Sequence, residues 1–116
     1  MNEHERVVRG SFIHEPTFRL GLRGSASIVQ LWGVTPPDAC FGDTPEEAWE
    51  EAWKWREERL RAIAEVREEI DSTQSDVRWF AQGVQVEDCK QEEIHRRILS
   101  RLQAALADLE RGMVGK

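Results

Sequence analysis

The sequence predicts an α+β domain in which a three-stranded antiparallel sheet is followed by two long amphipathic helices packed as an antiparallel hairpin. Three observations carry that expectation. The first 34 residues hold stretches rich in β-formers, residues 45–71 and 87–111 repeat apolar side chains at helical spacing, and after Pro45 neither proline nor glycine recurs until Gly83. A chain of 116 residues, 40% apolar and 33% charged, suits a single domain around one core, not a disordered or bilayer-spanning chain.

Residues 6–14 (RVVRGSFIH) read as a first strand. Residues 17–23 alternate, with Phe18, Leu20 and Leu22 on one side and Thr17, Arg19 and Arg23 on the other, the period of a half-buried strand. Gly24-Ser25 suits a two-residue hairpin turn with glycine first. Residues 26–34 (ASIVQLWGV) are apolar on both faces and fit a central strand, so residues 1–34 are expected to form a β-meander. Pro36 and Pro37 remove two donors and fix two φ angles, which marks 35–43 as a loop.

Thr44-Pro45-Glu46-Glu47 combines an N-cap threonine, a first-turn proline and the glutamate of a capping box, together worth about 1 kcal/mol. The helix it opens spans 44–71, with Trp49, Trp53, Leu60, Ile63 and Ile70 in one stripe widened by Ala48, Ala52, Ala62 and Val66. On its wet side Glu50 precedes Lys54, and Glu57 precedes Arg61, at i,i+4. Ser72-Thr73-Gln74-Ser75 is expected to break it and begin a connector, 72–86, inside which 76–82 fits either a helical turn or a strand. The last helix falls within 87–112, its apolar face made of Ile94, Ile98, Leu102, Ala105, Leu106 and Leu109, with Gly112 as terminator.

The net charge of −6 is concentrated in one segment. Acids and bases cancel in 1–42 and again in 72–116, whereas 43–71 holds eleven acids against five bases. Such a field repels nucleic acid and attracts a basic protein surface. Trp49 and Trp53 share a face and belong to the core, but Trp55 lies about 200° round the helix from Trp53. An indole ringed by acids is suited to anchor an interface, so the expected partner-binding surface is Glu46, Glu47, Glu50, Glu51, Trp55 and Glu58.

Pro37-Asp38, Cys40 and the run Gly42-Asp43-Thr44-Pro45-Glu46-Glu47-Ala48, placed after two strands and leading into a helix, resemble the N-terminal fold of the HicB-like antitoxin family. The likeness spans residues 17–60. It implies a module that sequesters a partner protein and carries no catalysis; the charge-balanced C-terminal helix departs from the DNA-binding element that often follows in that family, so DNA autoregulation is not implied.

Recognisable chemistry is sparse. Cys40 and Cys89 stand alone, expected as reduced thiols. Glu92-x-x-His95 has the spacing used in di-iron bundles, but that chemistry needs a second copy and two further glutamates. Gly21-x-x-Gly24 lies in a hairpin, without the helix a phosphate loop requires. No enzyme activity, cofactor or metal site is expected. The N-terminus lacks a signal-peptide pattern and no apolar run is long enough for a membrane helix, so the chain reads as cytoplasmic. The functional expectation is a small acidic binder that inhibits a nucleic-acid-handling protein, as phage anti-defence (anti-CRISPR) inhibitors and antitoxins do; the alternative is a self-associating structural or regulatory module with no inhibitory role, a homodimer through its long helices.

Overall fold

The computed structural model describes residues 2–24, 26–36 and 38–114. Its elements run α1 (Glu3–Arg9), β1 (Thr17–Leu20), β2 (Ser27–Leu31), β3 (Asp38–Gly42), α2 (Pro45–Ala81) and α3 (Val86–Glu110). The three strands form one antiparallel sheet in the order β1-β2-β3, and the two long helices pack against each other, an α+β architecture.

The third strand is not the one expected. Residues 6–14 open in helix α1, where Asn2 Oδ1 accepts the Glu5 N–H at 2.8 Å, Glu3 and Glu5 sit in the first turn and Arg9 reaches back to Glu5 at 2.8 Å. Cap and charges complement the helix dipole and outweigh the β-preference of Val7 and Val8. Segment 35–43, expected as loop, instead supplies β3. The pairing starts after the two prolines in sequence, with Leu31 opposite Asp38 and Val29 opposite Cys40. The expected hairpin 17–34 is present with shorter strands. β1 stops at Leu20, and a 3-10 turn over Leu22–Gly24 takes up the reversal with Gly24 at φ +67°. Ser25 of the anticipated turn lies outside the described residues.

Helix α2 passes through 72–75 without a break. Thr73 and Val77 are buried there, so packing overrides the local preference of Ser and Thr for turns. The connector shrinks to 82–85, and 76–81 is helical.

The chain divides into two compact units. The first comprises Met1–Arg61 and Leu109–Lys116, so α2 contributes its opening turns. Phe18, Val29 and Cys40 share one sheet face by register, and Phe18 stacks on Trp49 with ring centroids 6.5 Å apart, which places α2 over that face. Val29, Leu31, Ala48, Trp49 and Ala52 are buried in this core. Gly42 permits the close approach: a Cβ there would stand 2.5 Å from the Ala48 nitrogen. The returning C-terminal residues join the same unit, with Phe12 bridged to Met113, Ile13 N–H donating to Gly112 O at 2.8 Å and Val114 N–H to Ser11 O at 2.9 Å.

The second unit, Ala62–Asp108, holds the rest of α2 and most of α3. Ile63, Ile70, Thr73 and Val77 of α2 are buried, and Phe80 meets the His95 ring at 5.1 Å. Among the described residues α3 buries none fully. On its expected apolar face Leu102, Leu106 and Leu109 are half-buried, Ala105 is exposed, and Ile94 and Ile98 remain 45% and 40% exposed.

Candidate acidic interaction surface

Half of the expected capping box at the start of α2 is formed, and the Glu47 carboxylate reaches past Thr44 to the residue before it. Glu47 N–H donates to Thr44 Oγ1 at 3.2 Å, and Glu47 Oε2 accepts the Asp43 N–H at 3.0 Å. With this start fixed, an advance of about 100° per residue puts Glu47, Glu50, Glu51, Lys54 and Glu58 within one arc of about 100°, opposite the buried Ala52 and Trp49. Glu46 lies just beyond the edge of that arc. Glu46, Glu47, Glu51 and Glu58 are exposed and Glu50 is half-buried, so five of the six expected site residues form one solvent-facing acidic stripe.

What neutralises it is small. Lys54 Nζ stands 3.4 Å from Glu51 and 3.8 Å from Glu50, the second being the expected i,i+4 pair. These side chains are about half exposed, so each pair contributes only a few tenths of a kcal/mol. The nearby arginines turn elsewhere. Arg9 lies over the Trp49 ring at 4.7 Å and binds Glu5 and Glu15, while Arg56 donates to Ser11 Oγ at 2.6 Å and pairs with Glu57 at 2.8 Å, in place of the anticipated Glu57–Arg61 pair. Arg59 lies over Trp55 at 4.6 Å and donates to Thr35 O at 3.1 Å. None of these three arginines is paired with a carboxylate of the stripe.

Trp55 is half-buried, packed against Phe12 at 5.7 Å and capped by Arg59. It is therefore a wall at the border of the stripe and not a projecting anchor. Trp49 is buried, and Trp53 is half-buried against His4 at 5.0 Å.

Between β3 and α2 the stripe runs into a cleft of about 370 Å³, lined by Asp38, Ala39, Cys40 and Phe41 from the strand and by Glu51, Lys54, Trp55 and Glu58 from the helix. Cys40 is buried at its base, 7% exposed. Burial, then the charges of Asp38 and Glu51, push its thiol up to about 12. Both carboxylates therefore project negative potential into the cleft, and the thiol stays protonated at neutral pH. Asp38 was not among the expected site residues because 35–43 read as loop. The signal was present: Asp38, Cys40 and Gly42 alternate, the period of a strand that presents all three on one face.

The remaining candidate groups have other occupations. His95 Nδ1 lies 2.7 Å from Gln91 O, and its Nε2 is 3.8 Å from Asp76. Glu92 accepts from Arg96 at 2.8 Å. Cys40 and Cys89 are both free thiols, the latter exposed. Among the described residues no group of three or more His, Cys, Asp or Glu side chains is arranged to hold a metal ion, and no helix is long and apolar enough to cross a membrane. Neither a protein-family model, nor a curated protein, nor a solved structure matches the chain.

Proposed function

We propose that this protein is a non-enzymatic interaction module that occupies a basic surface of another protein with the opening turns of α2. The observation that carries this reading is the coherence of the stripe: Glu46, Glu47, Glu50, Glu51 and Glu58 lie on one side of α2 where, among the described residues, Lys54 is the one cation paired with them, through Glu50 and Glu51, while Arg9, Arg56 and Arg59 are engaged with the body of the unit. Segregated charge of this kind steers association and selects partners more than it stabilises a fold. Lys- and Arg-lined grooves are how proteins grip phosphate backbones, so the partner class is a nucleic-acid-handling protein and the consequence of docking is inhibition. Phage anti-defence inhibitors and antitoxins act in this way, and the resemblance of residues 17–60 to the HicB-like antitoxins supports the same direction by analogy.

The test is titration with a nona-arginine peptide, a defined basic probe, at low and high salt. Binding should weaken steeply as the Debye length falls from about 10 Å at 0.1 M to about 3 Å at 1 M salt. The combined Glu50→Lys, Glu51→Lys and Glu58→Lys variant should lose it while keeping the wild-type circular dichroism spectrum. Glu47 is left intact because its carboxylate accepts the Asp43 N–H at the start of α2. Unchanged affinity in the variant would refute the proposal.

A second reading has its own support. The exposure of Ile94 and Ile98 on α3 fits a helix face covered by another copy of the chain. Light scattering distinguishes the two: a stable dimer at micromolar concentration favours self-association, and a monomer removes it.

A further inference from the structure

We propose that the cleft between β3 and α2 seats a single arginine side chain of the partner, an inference that rests on reading the α2 stripe as a docking surface and assigns the residue at its centre. The walls differ in a way that selects a guanidinium. Asp38 brings a carboxylate from the strand, and Glu51 and Glu58 bring theirs from the helix, so negative charge lines both sides of a cavity of about 370 Å³. A planar group with five donors spans two such walls at once, whereas an ammonium is a point charge that satisfies one. Ala39 and Trp55 line the same cleft and supply apolar surface for the aliphatic stem. This unit already stacks guanidinium groups on its indoles twice, Arg59 over Trp55 at 4.6 Å and Arg9 over Trp49 at 4.7 Å.

Lys54 is an independent pointer to the same ligand. It lines the cleft with its ammonium 3.4 Å from Glu51, so an internal cation already occupies part of the position an incoming one would take. Half exposed and held by weak pairs, it is displaceable. Lys54 is then a competitor, and the partner's arginine must replace it at Glu51. Cys40, which also lines the cleft and is nine-tenths buried, offers no charge to compensate the carboxylates.

The test uses two capped tripeptides, acetyl-Gly-Arg-Gly-amide and its lysine counterpart, titrated into the isotopically labelled full chain and read from backbone amide shifts. The arginine peptide should shift Ala39, Cys40, Phe41 and Lys54 saturably and bind several-fold tighter than the lysine peptide. Asp38→Asn, which is outside the α2 stripe, should weaken it about tenfold, the effect of removing one charged hydrogen-bond partner. Lys54→Met should tighten it. Equal binding of the two peptides, absence of shifts on β3, or weaker binding by Lys54→Met each overturns the inference. Glu58→Gln provides a second arm if Asp38→Asn unfolds, since Glu58 is exposed. If nona-arginine still binds through Glu50 and Glu51 while β3 stays silent, the cleft assignment fails and the docking surface survives; if nona-arginine does not bind at all, both fail.

Discussion

In α3, Glu92 meets Arg96 and Glu93 meets Arg97, each at 2.8 Å and four residues apart, whereas along the α2 stripe of Glu47, Glu50, Glu51 and Glu58 the one paired cation among the described residues is Lys54, 3.4 Å from Glu51 and 3.8 Å from Glu50. The helices also differ in what they bury. α2 sinks Ala48, Trp49 and Ala52 into its sheet, while no described residue of α3 is fully buried. Charge cancelled along a helix supports that helix locally. Charge held apart on a helix that already has a core behind it is free to act on something else, and this is why the acidic stripe, and not the more evenly charged α3, is assigned to recognition.

The sharpest way to break that comparison is to truncate one apolar residue on each helix. Trp49→Ala should destabilise the first unit by about 3–5 kcal/mol, since it removes a buried indole together with its stacking on Phe18 and the cover of Arg9. Ile98→Ala, at a 40% exposed site, should cost no more than about 1 kcal/mol in urea unfolding. A large loss at Ile98 would mean that α3 is covered in solution, which supports self-association.

The two thiols sharpen the contrast next. Exposed Cys89 should be alkylated readily at mildly alkaline pH. Cys40, pushed up to about 12 from an ordinary value of 9.0, should react roughly a thousandfold more slowly than an ordinary thiol even before burial hinders access. Since its protonated form is favoured in the folded state, Cys40 contributes stability that is complete below about pH 9 and is lost as pH rises towards 12. Peptide mapping of the alkylated protein reads the rates; equal labelling of both cysteines in the folded state contradicts the buried base of the cleft. The smallest effect belongs to Arg96→Gln, which should lower stability by a few tenths of a kcal/mol and only at low salt.

The helices were largely legible because their signals are local. Thr44-Pro45-Glu46-Glu47 fixes the start of α2 through one cap, and the spacing of Trp49, Ile63 and Ile70 identifies the face that is buried. Sequence and structure differ where two local signals conflict or where tertiary packing overrides a local one. Val7 and Val8 favour a strand, but Asn2, Glu5 and Arg9 make a capped helix around them. Ser72 to Ser75 favour a turn, yet Thr73 is needed inside the second unit. The acidic stripe could be anticipated because helical geometry alone groups its residues. The cleft was harder to see because it depends on β3, where the proline pair before Asp38 masked the alternation of Asp38, Cys40 and Gly42.

The pairing of Phe12 with Met113 has a consequence for the order of assembly. Ribosomal synthesis delivers Ser11 to Ile13 about a hundred residues before Gly112 to Val114, the residues that bond to them. Everything from Ala62 to Asp108 is in effect an insertion that emerges while the first unit still lacks its closing segment. Joining segments so distant in sequence is entropically slow, so the early sheet and helix stay incomplete until residues 112–114 have emerged.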